Sequence, residues 1–218
     1  MLKHSNLIHD WNIVPGAESK LPRQVMLVDE SLRDGLQSPS VRDPSIDEKL
    51  RILHLMESLG INFADLGLPG AGPRAMADVE LLAREIATCR LKIKPNCAAR
   101  THENDIRPIA EISQRAGIAV EVACFLGSSP IRRYTENWTD DFLFKTTESA
   151  VTYAKSLGLE VMYVTEDTSR CDPETVKRFT GLNLVIEGAG TPEGLKDVLR
   201  AVRAEAAKIF KDLGYVPQ

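Results

Sequence analysis

Short apolar stretches alternate along the chain with longer segments in which apolar residues recur every three or four positions. The short stretches predict buried parallel strands, at residues 25–28, 61–66, 91–97, 119–125, 160–165 and 182–186. The longer segments predict amphipathic helices, at about 46–59, 73–88, 104–116, 139–157, 173–179 and 191–211. The alternation predicts an α/β fold of about six strand–helix units.

Three of the predicted helices begin with recognisable signals. Ser45 is followed three residues later by Glu48, which is the pattern of a capping box. The last helix begins with a threonine cap and a proline in the first helical position, in the sequence TPEG at residues 191–194. The segment THEND at 101–105 offers Asn and Asp near the start of a helix. The strand–helix alternation is therefore supported by local signals as well as by periodicity.

Two architectures fit this alternation, a TIM-barrel-like fold and an open doubly wound sheet. A complete eight-unit barrel takes about 250 residues, so six units predict an incomplete or rearranged barrel. Residues 1–24 lack a clear period and form an N-terminal arm, whereas residues 25–218 form a single domain because no linker interrupts them. An incomplete barrel would expose strand edges and apolar surface, so we expect a homo-oligomer or a partner chain to cover them.

Composition narrows the classes of function. The 218 residues carry a net charge of −4 without a long run of one sign, which argues against a nucleic-acid partner. The four cysteines lack C-x-x-C spacing, which disfavours a structural zinc site or a disulfide framework. No apolar run reaches the roughly 20 residues of a membrane span, and the N-terminal segment lacks a signal-peptide core. We therefore expect a cytoplasmic protein without a membrane partner.

The most informative motif is DESLRDGLQ at residues 29–37, directly after the first predicted strand. Polar residues at the C-terminal end of a parallel strand lie where α/β barrels place their chemistry. Arg33 could neutralise an enolate or carboxylate oxygen, and Asp34 could bind a hard divalent cation. The alternative is an exposed Arg–Asp pair beside a turn glycine.

The motif resembles the D-x-[TS]-L-R-D-G-x-Q signature of the family that contains 2-isopropylmalate synthase, homocitrate synthase, citramalate synthase and HMG-CoA lyase. Further matches follow in the same order along the chain. The second strand ends in ADLGLP at 64–69, and Arg100 follows the third strand. GSSPIR at 127–132 follows the fourth strand, and TEDTSR at 165–170 follows the fifth. Five matches in register indicate common ancestry.

The resemblance implies a TIM barrel in which a divalent metal (Mg, Mn or Zn) holds a 2-keto acid, with acetyl-CoA as co-substrate. By the same resemblance, Asp34 is the metal ligand, and Arg33 and Glu166 are catalytic. The substrate-binding residues implied in this way are Gln37, Asp65, Arg100, Ser129 and Thr168. A leucine-type regulatory domain is not expected.

The sequence also departs from the family pattern. The H-x-H-N-D motif, which supplies further metal ligands, is absent, and the only histidines are His4, His9, His54 and His102. After the sixth strand, the TPEG helix start is kept, but the D-T-x-G that precedes it in the family is lost. Three hypotheses therefore stand. The first is an enzyme, either a 2-isopropylmalate-synthase-like carboligase that carries out a metal-assisted Claisen-type condensation or an aldol-cleaving lyase like HMG-CoA lyase. The second is a non-catalytic relative that acts in binding or assembly, and the third is an unrelated open α/β protein.

Overall fold

Five parallel strands form one sheet in the order in which they occur along the chain. The computed structural model describes residues 26–166 together with residues 171 and 175. The strands are β1 (Val28–Asp29), β2 (Phe63–Asp65), β3 (Lys94–Arg100), β4 (Glu121–Gly127) and β5 (Val161–Glu166). Each strand pairs in parallel with the next one. These described strands lie within one compact unit, Met26–Glu187.

Each of the strands β1 to β4 is connected to the next strand by one or two helices. They are α1 (Ile46–Ser58), α2 (Pro73–Cys89), α3 (Glu103–Ala116), α4 (Pro130–Glu136) and α5 (Asp140–Ser156). None of these helices is long and apolar enough to cross a membrane. The predicted sixth strand, the helix predicted at 191–211, the N-terminal arm and, except for residue 175, the helix predicted at 173–179 fall outside the described residues. The division into arm and domain therefore stays a prediction.

The strand order decides between the two predicted architectures. A doubly wound sheet reverses its strand order at a switch point, whereas β1 to β5 follow one another without reversal. Right-handed crossovers then place every connecting helix on the same side of the sheet. The described residues therefore form a curled half-barrel of the TIM-barrel type, which confirms the predicted incomplete barrel.

The helix starts agree with the local signals. The Ser45 side chain accepts the Glu48 N–H and the Glu48 side chain accepts the Ser45 N–H, so the capping box is present. The THEND segment does begin α3, but its cap is His102, whose ring accepts the N–H of Asn104. The sequence pattern did not predict α4, which begins after the cap residue Ser129 with a proline in its first turn. This short helix lacks buried residues, so it has no apolar period to detect.

The two faces of the sheet differ in composition. The helix face consists of Ala64, Cys97, Ala99, Val122 and Cys124, all fully buried against the helices. Leu53, Leu82, Ile106 and Ile109 supply the helical side of this core. Because side chains alternate along a strand, their neighbours form the opposite, inner face. It includes the polar residues Asp65, Asn96, Arg100 and Glu166 beside apolar residues such as Phe63, Phe125 and Val164. Polar groups are therefore concentrated on the side of the sheet away from the helices.

Candidate functional site

A tight turn after β1 fixes the position of the first candidate residues. The N–H groups of Arg33 and Gly35 both donate to the Glu30 carbonyl, at 3.1 and 3.0 Å. Leu32 in the same turn is buried in the hydrophobic core. Its apolar side chain anchors the loop, so the neighbouring Arg33 is held half-buried at the C-terminal end of the sheet.

Arg33 lies at the centre of an ionic cluster. Its Nε lies 3.2 Å from Asp65 Oδ2, its Nη1 lies 3.2 Å from Asp34 Oδ1, and its Nη2 lies 3.0 Å from Glu30 Oε2. We call Glu30, Arg33, Asp34 and Asp65 the strand-end cluster. One guanidinium faces three carboxylates, which leaves an excess of negative charge when all three are ionised. The structure thus joins the predicted Arg33, Asp34 and Asp65 at one place.

Asp65 is the most perturbed member of this cluster. Its side chain is 1 % exposed, and its Oδ1 accepts the Gly67 N–H at 3.0 Å. Burial raises the pKa of Asp65 to about 6, against the opposing effects of the Gly67 N–H and the Arg33 charge. The charge of Glu30 contributes to this increase. The Asp65 carboxyl therefore changes protonation state close to neutral pH.

Asn96 is a residue that sequence analysis did not single out as functional. It is 1 % exposed and pairs in register with Asp65 on the neighbouring strand. Neither its Oδ1 nor its Nδ2 has a hydrogen-bond partner in the described part of the chain. A buried, unpaired amide is costly and rare, so a ligand that supplied its partners would be favoured. The available signal was a single amide between two apolar residues, Pro95 and Cys97, within a predicted strand.

Arg100 is held by the first turn of α3. Its Nε and Nη2 donate to Asp105 at 2.6 and 2.8 Å, and its backbone N–H donates to the same carboxylate at 3.2 Å. Asp105 is buried, whereas Arg100 is mostly exposed. The Gly70 backbone packs so closely that a Cβ there would lie 2.6 Å from the Asp105 carboxyl carbon. The Arg100 guanidinium is thus fixed at the end of β3, with further donors left.

The ends of β4 and β5 join Ser128 to the Glu166 backbone, and Ser129 is the next residue along the chain. Gly127 and Glu166 are register partners, and the Ser128 N–H and hydroxyl both donate to the Glu166 carbonyl at 3.3 Å. A Cβ on Gly127 would lie 3.5 Å from Glu166 Oε2 and 2.8 Å from the Arg132 side chain. The Ser129 hydroxyl accepts the Arg132 N–H as the cap of α4.

The two remaining candidate residues are Gln37 and Thr168. Gln37 is exposed at the end of a 3₁₀ turn, Gly35–Gln37, beyond Arg33. Thr168 falls outside the described residues. The sequence-predicted residues that are described all lie at or just beyond the C-terminal ends of strands, the face on which TIM barrels carry their active sites.

The strand-end cluster suits a divalent metal in part. Its donors are hard carboxylate oxygens with excess negative charge, as Mg²⁺ and Mn²⁺ prefer, and Asp34 and Glu30 are exposed. Arg33, however, lies between these carboxylates. Across residues 26–166, the only three metal-ligating side chains with converging donor atoms are elsewhere, at His54, Glu85 and Cys89. The cluster therefore supplies part of a ligand set.

Comparison with known proteins identifies the relatives. The model of the HMGL-like family matches residues 24–208. The 2-isopropylmalate synthase of Brevibacillus brevis is 28% identical over 193 residues, covering 88% of this chain and 36% of that protein. The same enzyme of Microcystis aeruginosa is 30% identical over 186 residues, covering 82% and 33%. The chain thus spans about a third of the length of these curated relatives.

Proposed function

The chain belongs to the HMGL-like family, and from this membership we propose that its strand-end cluster serves a Claisen-type condensation of an acyl-CoA with a 2-keto acid. The relatives named above are 2-isopropylmalate synthases, which favours 2-ketoisovalerate and acetyl-CoA as the substrates. The observation that carries the proposal is the position of Arg33, half-buried at the end of β1 and fixed by Asp65, Asp34 and Glu30.

Arg33 would stabilise the negative charge that develops on an enolate oxygen. A guanidinium has five N–H donors in a rigid plane, and the three ion pairs described above leave donors for a ligand oxygen. The carboxylates hold the group in place before substrate arrives, so little reorganisation is needed when charge develops. The unpaired amide of Asn96, next to Asp65 in register, would supply a further polar contact.

A divalent cation fits this proposal because it would neutralise the excess negative charge of the strand-end cluster. Asp34, with Glu30 beside it, would hold the cation, and any further ligands would come from outside the described residues or from a partner chain. When bound, such an ion acts as a Lewis acid toward a carbonyl oxygen. The excess of negative charge repels a keto-acid carboxylate, so we expect the cation to bind before the keto acid.

The other candidate residues take supporting roles. Arg100, fixed by Asp105, would bind the keto-acid carboxylate through its remaining donors. Glu166 would act as a general base from the end of β5. Substrate contacts are assigned to Gln37, Asp65, Ser129 and Thr168. An aldol-cleaving lyase would use the same groups in the reverse sense, and it is the alternative reaction.

Two observations favour a second candidate, a non-catalytic binding or assembly protein. The apolar side chains Val28 and Val164 are partly exposed on the inner side of the sheet, and the strand-end cluster does not bring three metal-ligating side chains together within the described residues. A second copy or a partner chain that covered this surface would satisfy both features. This candidate predicts a stable complex without turnover.

Metal-dependent stability tests the assignment of Asp34. We expect Mg²⁺ or Mn²⁺ to raise the melting temperature of chelator-stripped protein, and Asp34→Ala to abolish that rise while leaving the melting temperature in chelator unchanged. Glu148→Ala, which removes an exposed carboxylate on α5, is the matched control and should keep the full rise. An equal rise in the Asp34 variant would refute its role as ligand.

Turnover separates the enzyme from the binding protein. Release of the CoA thiol from acetyl-CoA with 2-ketoisovalerate is expected in the wild type, and Arg33→Lys should lower kcat by about 100-fold or more because a lysine cannot reproduce the fork of donors. Wild-type protein that binds metal and keto acid without releasing CoA would favour the binding protein instead.

A further inference from the structure

Three side chains on the outer helices converge on one point. His54 lies on α1, and Glu85 and Cys89 lie one turn apart on α2, on the same side of that helix. His54 Nε2 is 2.7 Å from Glu85 Oε1, and Cys89 Sγ donates to the same oxygen at 3.2 Å. All three donor atoms lie within 4.8 Å of one another. We call these residues the outer triad.

The fold does not account for the outer triad. The His54 and Glu85 side chains are 45% and 29% exposed, and an ion pair at such a surface contributes little to stability, about 0–1 kcal/mol. Cys89 is also exposed, although free cysteines are usually buried. Imidazole nitrogen, carboxylate oxygen and thiol sulfur are, however, the donors found together at zinc sites. The triad belongs to the helix layer and not to the strand-end cluster.

We propose that His54, Glu85 and Cys89 form a second metal site, which takes Zn²⁺ or a similar borderline ion with water as the fourth ligand. Zinc lies about 2.0–2.3 Å from nitrogen, oxygen and sulfur donors in tetrahedral sites, which requires donor atoms about 3.5 Å apart. The two contacts to Glu85 Oε1, at 2.7 and 3.2 Å, are shorter because they are hydrogen bonds, and rotation of these surface side chains can adjust the separations to those that a metal ion requires. Mg²⁺ is disfavoured because it prefers oxygen donors.

Binding at this site exchanges a proton for the metal. The hydrogen bond from Cys89 to Glu85 raises the pKa of the thiol, so the sulfur is protonated before metal arrives. Zn²⁺ forms the Zn–S bond to the thiolate, and the thiol proton leaves to solvent, so one proton is released for each ion bound. The bound ion would link α1 to α2 and stabilise the first two strand–helix units.

Cobalt substitution gives a direct test. Chelator-stripped, reduced wild-type protein titrated with Co²⁺ should develop a thiolate-to-cobalt charge-transfer band in the near ultraviolet together with the visible bands of four-coordinate cobalt, and Zn²⁺ should displace both. Cys89→Ser should abolish the charge-transfer band, and His54→Ala should weaken Co²⁺ binding by about tenfold or more. The controls Cys171→Ser and His102→Asn should keep the wild-type spectrum.

The cobalt experiment tests the metal site at the outer triad, and its result does not depend on whether the protein catalyses a condensation. No charge-transfer band in the wild type would overturn the site without reference to any variant. A band that persists in Cys89→Ser but is lost in Cys171→Ser would move the thiolate ligand elsewhere and also overturn it. Asp34→Ala should leave the cobalt spectrum unchanged, so failure at the strand-end cluster and failure at the outer triad are distinguishable. Far-ultraviolet circular dichroism confirms that each variant is folded.

Discussion

The helix face and the inner face of the sheet are made by the same strands but have opposite properties. On the helix face, Cys97, Val122 and Cys124 are fully buried among apolar helical side chains. On the inner face, Val164 is 36% exposed, Asp65 is a buried carboxyl with a raised pKa, and Asn96 has no partner in the described residues. One face therefore supplies stability, and the other concentrates groups that can bind a ligand.

The inner face lowers the stability of the fold. An unpaired buried amide costs about 1–3 kcal/mol, and an ionised carboxylate with little water around it adds to that cost. Such features persist where function requires them. The contrast between the two faces leads to three predictions. Substitution should destabilise the protein on the helix face, whereas at neutral pH it should be harmless or stabilising on the inner face.

The largest effect is expected at the helix-side core. Ile109 on α3 is fully buried in the core that covers the helix face, so Ile109→Ala should lower the free energy of unfolding by about 2–5 kcal/mol. Urea unfolding measures this loss. The matched control is Ile131→Ala, at an isoleucine that is 66% exposed on α4. If both variants lost equal stability, the core would not lie where the structure places it.

Asp65→Asn should show a smaller, pH-dependent effect. The folded pKa of about 6 exceeds the ordinary carboxyl value, so the stabilisation from neutral Asp65 is complete at low pH and is lost as the pH rises through 6. The Asn variant does not titrate. Between pH 4 and pH 7 it should gain on the order of 2 kcal/mol relative to wild type, as measured by urea unfolding. A constant difference across this range would show that burial does not raise this pKa.

The smallest effect is expected at Asn96. Asn96→Ala removes an amide without partners in the described chain, so its free energy of unfolding should stay within about 1 kcal/mol of wild type or rise. The control on the neighbouring strand is Val122→Ala, at a fully buried helix-face position, which should lose about 2 kcal/mol. Thermal unfolding compares the two. A larger loss at Asn96 would mean that its amide does form stabilising contacts.

The strands could be predicted from apolar runs, but their exact position could not. The third strand was predicted at residues 91–97 and is observed at Lys94–Arg100. Ile93 is apolar and buried, yet its N–H and that of Lys92 donate to the Glu57 carboxylate on α1. A side chain distant in sequence thus replaces the first ladder bonds of that strand, and hydrophobicity alone cannot show this.

The site was predictable only where one motif contains it. Arg33 and Asp34 are adjacent in sequence and were assigned to one site, whereas Asp65, which belongs to a different motif, is shown only by the structure to lie 3.2 Å from the same arginine. Asn96 was missed because its importance depends on pairing with Asp65 across strands. Arg33 contacts three carboxylates because of the turn at Glu30 and the register of the strands. The motif specifies neither of these.

Calorimetric titration of chelator-stripped protein with Mg²⁺ and then with 2-ketoisovalerate reports on the strand-end cluster alone, because the outer triad should not bind Mg²⁺. We expect one Mg²⁺ per chain, loss of that binding in Asp34→Ala, and keto-acid binding only after Mg²⁺ has offset the excess negative charge of the strand-end cluster. Keto acid that bound equally well without Mg²⁺, or Mg²⁺ that bound equally well to Asp34→Ala, would contradict this expectation.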